Sequence, residues 1–247
     1  TDVKEVVRRL AEAAAEALGV AEVKLASLVI DLADELIRQR KKKVAILADD
    51  VFQAIGLNEA AKYVKALLGV IEYPPRSVDA VVAVVATSEG VTRREIGRHY
   101  WADLLPMWNM PREGLKQLYD QIPGEKPPYE KVWTMTGGNP RLLQELYGTR
   151  WDVEAVLRKV VERQKIDILI NELKDAEKEL LRRAVDDPDV LITREGIPLM
   201  NKLVDQNLIV DAIPPRDPRF WAGEVPPERD PELGIGKRVA WQTPLHR

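Results

Sequence analysis

Two apolar runs, each followed at once by polar residues, constrain the fold of this chain more than any other feature. Residues 44–48 are aliphatic and lead into Asp49 and Asp50, and residues 80–86 are aliphatic and lead into the sequence TSEG. A segment with the apolar spacing of a helix, residues 58–71, separates the two runs. Strands that are apolar on both faces and alternate with helices are typical of a buried parallel sheet. The sequence therefore predicts an α/β fold.

The polar residues that follow these strands predict a ligand site. In parallel sheets, ligands bind outside the carboxyl ends of the strands, and Asp49, Asp50, Thr87 and Ser88 all fall there. Two adjacent carboxylates repel each other unless a positive charge lies nearby, and a bound metal ion commonly supplies that charge. The alternative is that both carboxylates cap a strand–helix turn, and the pattern alone favours neither.

Composition limits the remaining possibilities. The chain has 247 residues, is 45% hydrophobic and carries a net charge of −3, so it lacks the overall positive charge typical of nucleic-acid-binding proteins. It contains no cysteine, which excludes a disulfide framework and a thiolate zinc site. No apolar run approaches the length of a membrane span. We expect a soluble, cytoplasmic protein, and the many charged residues and prolines favour a thermophilic source.

The second half of the chain has a different pattern. Residues from Pro111 to about Lys165 are predicted to be helical, with one interruption at the turn TGGNPR. Residues 103–110 are predicted to form a short edge strand, because Pro106 cannot donate to a ladder. Beyond Lys165 the predicted order is helix, helix, strand, strand, with the proline-rich residues 214–231 between the strands. This is the order of a winged helix-turn-helix, with a long wing.

Six sequence blocks carry a resemblance to a known family. They are VAILADDVFQAIG, LLGVIEYPP, ATSEGVTRREIGRH, PMWNMPREG, YDQIPGEKP and TGGNPRLL. In this order they resemble the archaeal ATPase family, a branch of the P-loop NTPases related to the AAA+ and signal-transduction ATPases. The resemblance covers roughly residues 21–150. It implies a partial P-loop NTPase parallel sheet with helices, followed by a helical lid and a winged-helix domain, and it implies ATP and Mg²⁺ as ligands.

The two aspartates after the first strand match the Walker B position of that family. The resemblance implies that Asp49 holds Mg²⁺, through water, and that Asp50 orients the attacking water. Many relatives carry glutamate at the second position, so the Asp50 side chain is one methylene shorter than theirs.

Polar residues after the second strand match a further part of the family's catalytic machinery. Thr87 and Ser88 stand at the sensor position, where a hydroxyl can contact the γ-phosphate or the attacking water. Arg93, Arg94 and Arg98 resemble the arginine cluster that follows the sensor, and arginine suits phosphate because its guanidinium is planar and always charged. The structural alternatives are a strand-end turn for the hydroxyls and a solvated helix face for the arginines.

The GGNPR turn resembles the lid motif that contacts nucleotide. The resemblance implies that Gly138, Asn139, Pro140 and Arg141 bind the nucleotide, with the proline against the adenine and the arginine near the phosphates. The structural alternative is a glycine turn that leads into a helix begun by proline.

The resemblance also divides the chain into three domains. Residues 1–110 correspond to the C-terminal part of the ATPase core, residues 111–165 to the lid, and residues 166–247 to the winged helix. The chain departs from the family in containing no GxxxxGK[ST] phosphate-binding loop. In the family this loop precedes the first helices found here, so it either lies upstream of Thr1 or has been lost. We expect residues 1–247 alone to be inactive towards ATP.

Three functions fit the sequence. The first is a Mg²⁺-dependent ATPase whose winged helix contacts a protein partner or DNA, without membrane contact and with oligomers possible. The second is a nucleotide-dependent switch or scaffold without turnover. The third is a winged-helix DNA-binding protein, although the expected recognition helix offers only Arg194, Asn201 and Lys202 for DNA contact.

Overall fold

The computed structural model describes residues 43–49, 68, 71–72, 79–87 and 103–247. The chain divides into two compact units, Thr1–Leu104 and Leu105–Arg247, and each is described by itself. The helices predicted before residue 43 lie outside the described residues. Of the helix predicted for residues 58–71, Leu68 and Ile71 are described, and both are helical.

The first unit contains a two-stranded parallel sheet. Strand β1, Lys43–Asp49, pairs with β2, Ala80–Ala86. The last residues of the two strands, Asp49 and Ala86, are paired in the register. The predicted parallel sheet is therefore confirmed. Small and β-branched aliphatic residues fill both strands, and such residues pack well on a pleated surface.

Burial on both faces of this sheet is not observed. Leu47, Val82 and Val84 are exposed, with 78%, 56% and 53% of their surface accessible. Leu47 lies opposite Val84 in the register, so these side chains share one face of the sheet, because alternate residues point to opposite sides. The prediction that both faces of the sheet are buried is therefore wrong for the face that carries these three side chains.

The second unit begins with four helices, as predicted for residues 111–165. They are α1 Arg112–Gln121, α2 Tyr129–Thr136, α3 Pro140–Gly148 and α4 Val153–Arg163. Their apolar stripes meet in one core, whose fully buried members are Leu115, Val132, Leu143, Leu146 and Val156. Asp152 starts α4 by accepting a hydrogen bond from Ala155 N at 3.0 Å, which satisfies one of the free backbone donors at the helix start.

The rest of the second unit contains helices followed by a small antiparallel sheet. The helices are α5 Ile166–Glu172, α6 Asp175–Asp186 and α7 Ile197–Asp205. Strand β3, Ile209–Val210, pairs with β4, Ala240–Trp241. The predicted order of two helices and two strands is thus found, with α5 before it and a 3₁₀ turn, Pro188–Ile192, between α6 and α7. The core of this part includes Leu191, Leu199, Leu203, Ile209 and Trp241.

The proline-rich segment between β3 and β4 is organised by one arginine. The guanidinium of Arg216 donates to five backbone carbonyls, those of Pro214, Pro227, Glu228, Gly236 and Lys237. It also lies over the ring of Trp221. Burial among these groups lowers the pKa of the Arg216 guanidinium. Hydrogen bonds to this one guanidinium therefore hold together a segment that lacks regular β-ladders.

Residues 103–110 form no strand, so the predicted edge strand is wrong. The segment instead makes single hydrogen bonds to two different places: Ala222 N donates to Pro106 O at 3.0 Å, and Met110 N donates to Gly138 O at 2.9 Å. The ring of Trp108 meets the ring of Trp221 edge to face at 6.1 Å. Because these contacts lie on different elements, the segment links the helical bundle to the proline-rich segment rather than extending a sheet.

Candidate functional site

One group of predicted site residues lies at the carboxyl ends of β1 and β2. Asp49 is the last residue of β1 and pairs in register with Ala86, and Thr87 follows directly. Asp49 is exposed and Thr87 is half-buried. The fold therefore brings a carboxylate and a hydroxyl to the same edge of the sheet. The other residues predicted for this part lie outside the described residues: Asp50, Ser88, Arg93, Arg94 and Arg98.

The donor set at this edge fits Mg²⁺. Carboxylate and hydroxyl oxygens are hard ligands, and Mg²⁺ usually keeps several waters and takes only one or two carboxylates together with substrate phosphates. In the part of the chain that the structure describes, no three His, Cys, Asp or Glu residues are grouped to hold a metal. Among the described residues at this edge, Asp49 supplies the carboxylate.

A second group of predicted site residues lies in the turn that is predicted to belong to a lid, residues 137–141, which is called the lid turn below. Its glycines determine its shape. Helix α2 ends at Thr136 and is capped by Gly137, with φ of 55°, and Gly138 follows with φ of 91°. A Cβ atom on Gly138 would overlap the backbone oxygen of Met110, and one on Gly137 would lie 2.5 Å from Cδ of Pro244. Both positions require glycine, because their positive φ disfavours other residues and because a Cβ would clash with neighbouring protein atoms. Neither glycine needs a nucleotide to explain it.

Asn139 connects the lid turn to the C-terminal strand region. Its Oδ1 accepts from Leu142 N at 2.9 Å and caps α3, while its Nδ2 donates to Asn109 Oδ1 at 3.2 Å. The amide of Asn109 in turn donates to Gln242 O at 3.1 Å. A continuous hydrogen-bonded path thus runs from the lid turn through residue 109 to the residue that follows β4.

The last two residues of the motif are exposed. Pro140 occupies the first turn of α3, where proline costs no hydrogen bond. Arg141 has 75% of its side chain accessible, and its Nε lies 3.5 Å from Glu145 Oε1. The same Glu145 oxygen accepts from Nη2 of Arg163 at 3.0 Å. Of the four lid residues, Pro140 and Arg141 are therefore the two that remain open to a ligand.

A cavity of about 300 Å³ opens beside Arg141. Its walls come from α3 and α4 on one side, and from residues 206–207 and the C-terminal turn Pro244–His246 on the other. His246 Nδ1 lies 2.8 Å from Thr243 Oγ1, and burial lowers the pKa of His246 to about 4.

Sequence patterns could have identified only part of this cavity. Glu145 stands four residues after Arg141, which is the spacing of an ion pair on a helix. Arg163 and His246 carry no such signal, because tertiary packing alone brings them to the same place.

Comparison with protein families identifies the chain. The model of an ATPase domain found predominantly in Archaea matches residues 1–146, more than half of the 247 residues. This chain belongs to that family. The match contains β1 and β2, the lid turn and most of α3, and it ends before α4. We found no significant match among curated proteins or among solved structures.

Family membership indicates an ATPase-type, nucleotide-binding protein. No helix in the described ranges is both long and apolar enough to span a bilayer. The predicted fold class is confirmed as α/β with a small parallel sheet and helices.

Proposed function

We propose that the protein binds ATP with Mg²⁺ and hydrolyses it. The observation that carries this proposal is the placement of Asp49 and Thr87 at the carboxyl ends of adjacent parallel strands, in a chain of an ATPase family. Bound Mg²⁺ would neutralise charge on the phosphates and hold them in place. Asp49 would hold that ion, and Asp50 would orient the attacking water.

The remaining predicted residues would contact the phosphates and the base. Thr87 and Ser88 would donate hydrogen bonds to the γ-phosphate or the water, and arginines 93, 94 and 98 would balance the negative charge that develops in phosphoryl transfer. In the lid, the exposed Pro140 and Arg141 would bind nucleotide, whereas Gly138 and Asn139 would position them by shaping the turn.

We also propose that the C-terminal module has a winged-helix fold that contacts a protein partner. The order α6, α7, β3, β4 supports the fold. Lys202, the one basic residue of α7, is held by Glu177 with an Nζ–Oε1 distance of 2.8 Å. This hydrogen bond lowers the pKa of the Glu177 carboxyl. Since Lys202 is neutralised in this way, α7 keeps little charge for DNA phosphates, and a protein partner is favoured.

The two carboxylates provide the test of the ATPase proposal. In the full-length protein, Asp49→Asn should weaken Mg²⁺-dependent ATP binding, while Asp50→Asn should lower kcat about 100-fold with little change in binding. Calorimetry with MgATP and phosphate release measure the two quantities. Small, equal effects of both substitutions would contradict the assigned roles, and tight binding without phosphate release would favour a nucleotide-dependent switch.

DNA binding is tested separately with the full chain. We expect no salt-sensitive gel shift of duplex DNA, and no difference between the wild type and Arg194→Gln. A tight shift that weakens with salt and with Arg194→Gln would show that the turn before α7, which carries Arg194, contacts DNA phosphates.

A further inference from the structure

An apolar groove with a volume of about 330 Å³ lies between α5 and α6. Ile166 and Ile170 line it from α5, and Leu181 and Val185 line it from α6. The members of each pair are four residues apart, so each pair forms a row along one face of its helix. Two aliphatic rows, one on each helix, therefore border the α5–α6 groove.

The aliphatic side chains of the groove are accessible to a partner. Ile170 keeps 41% of its surface exposed, and Ile166, Leu181 and Val185 are half-buried. Beneath them lies the buried core of this part of the unit. Accessible apolar surface that is bordered by polar residues commonly marks an interaction site.

The border of the groove is positively charged. Among the described residues that line it, three are lysine or arginine and none is aspartate or glutamate. Lys178 and Arg182 lie four residues apart on α6, next to the row of Leu181 and Val185. Lys178 makes no ion pair with any described residue. Arg182 pairs with Glu179 at 3.0 Å, but both side chains are exposed, and an exposed ion pair contributes little. Two cations can therefore pair with carboxylates of a partner.

The dimensions of the groove favour a short helix as its occupant. Because α5 has seven residues and a helix rises 1.5 Å per residue, this wall is about 10 Å long. That length matches about two helical turns, which present large apolar side chains at positions i and i+4. Acidic side chains on the adjacent row of the same helix would then reach Lys178 and Arg182.

We propose that the α5–α6 groove binds an amphipathic helix of a partner protein, with an apolar row in the groove and an acidic row against Lys178 and Arg182. The proposal rests on the protein contact proposed above for the C-terminal module, and it adds the chemistry of the partner. Burial of the apolar row provides the affinity. The acidic row fixes the orientation of the helix and excludes basic helices.

Peptide binding to the full chain tests this proposal. The probe is a blocked, fluorescently labelled, alanine-based peptide of about 16 residues, because shorter alanine-rich helices are marginal in water. It carries leucines at positions i and i+4 and glutamates on the adjacent row. One control peptide has lysines in place of the glutamates, and the other has alanines in place of the leucines.

Fluorescence anisotropy should show that the glutamate peptide binds about tenfold or more tightly than either control, a factor that corresponds to about 1.4 kcal/mol. Equal affinities for the glutamate and lysine peptides would overturn the proposal, and so would the absence of binding by the glutamate peptide. The protein contact proposed for the module is contradicted by a different result, the salt-sensitive shift of duplex DNA.

Charge reversal locates the acidic row. In the double variant Lys178→Glu, Arg182→Glu, the lysine peptide should bind more tightly than the glutamate peptide. Arg183→Glu is the matched control, because Arg183 is an exposed residue of α6 that does not line the groove. This control should still prefer the glutamate peptide. An unreversed preference in the double variant would overturn the proposal.

Substitutions on α5 locate the apolar row. Ile170→Glu should weaken the glutamate peptide about tenfold or more, whereas Ile168→Glu, at an exposed position of α5 outside the groove, should not. Equal effects of the two substitutions would overturn the proposal. Sedimentation of the wild type without peptide should show no dimer that Ile170→Glu abolishes. Such a dimer would assign the groove to a second copy of the chain and would also overturn the proposal.

Discussion

The lid turn and the end of β1 both carry family motif residues, but the protein uses them differently. In the lid turn, Gly137, Gly138 and Asn139 are each explained by a contact within the protein. At the end of β1, the exposed Asp49 carboxylate makes no ion pair with any described residue. The comparison indicates that residues of one motif can set the backbone conformation, while residues of another motif can be exposed and available to a ligand. Substitutions should therefore affect stability in the first region and ligand binding in the second.

The largest expected effect is that of Gly138→Ala. The added methyl group would overlap the Met110 carbonyl, and φ at this position is 91°, so we expect a loss of about 3 kcal/mol or more in the free energy of unfolding. Urea unfolding followed by circular dichroism measures this loss. The matched control is Gly148→Ala at the end of α3, where a Cβ meets nothing within 4 Å. A Gly138→Ala protein as stable as the Gly148→Ala control would contradict the conformational role assigned to the lid turn.

The second effect concerns acid pH and the turn that packs on the lid. His246 has a pKa lowered to about 4 by burial, so the folded state favours the neutral ring while the unfolded chain protonates near its ordinary pKa of about 6.5. This contribution to stability is complete above about pH 6.5 and is lost as pH falls towards 4. At about 1.4 kcal/mol per pKa unit, we expect a loss of about 3 kcal/mol over that range.

The variant His246→Gln isolates this contribution from that of the carboxylates. Urea unfolding at a series of pH values should show a shallower fall in stability below pH 6.5 for the variant than for the wild type. Identical pH profiles would mean that the ring is solvated in the folded protein and that the C-terminal turn does not stay packed.

The third effect separates the two hydrogen bonds of Asn139. Asn139→Ala removes both the cap of α3 and the bond to Asn109, and should cost about 1–2 kcal/mol in the free energy of unfolding. Asn139→Asp keeps the capping oxygen and loses only the donor, so it should cost less. If the two variants are equally destabilised, the bond to Asn109, rather than the cap, is the main contribution.

The smallest expected effect on stability is that of Asp49→Asn. Because this exposed carboxylate stabilises no described group, the free energy of unfolding should change by less than about 0.5 kcal/mol. Asp189→Asn is the matched control, since Asp189 accepts from the backbone N–H groups of Lys237, Arg238 and Val239 at 2.7–3.0 Å. That variant should lose about 1–2 kcal/mol. A large loss in Asp49→Asn would assign that aspartate a structural role.

Local patterns were enough to predict several elements. The sequence predicted helical structure from Pro111 to about Lys165, where four helices are found, and the two aliphatic runs predicted parallel strands. Proline and glycine placed the start of α3. These predictions succeed because helix periodicity, strand composition and turn chemistry depend on neighbours along the chain.

The edge strand predicted for residues 103–110 failed for a physical reason. Its apolar composition suits a strand, but Pro106 and Met110 find backbone partners in two distant loops rather than in one ladder. Such partners lie more than 25 residues away in sequence, and no local pattern reports them. The exposed face of the sheet, with Leu47 and Val84, was missed likewise because burial depends on what packs above it.

The sequence by itself determined the family, the α/β class, and the placement of Asp49 and Thr87 at the carboxyl ends of their strands. Only the tertiary structure decided what that turn contacts, how Arg216 holds the proline-rich segment, and that Arg163 and His246 meet Arg141 in one cavity. The reason is the separation along the sequence over which each effect acts. Periodicity and turn preference act between residues close in sequence, whereas burial and side-chain pairing depend on segments that folding alone brings together.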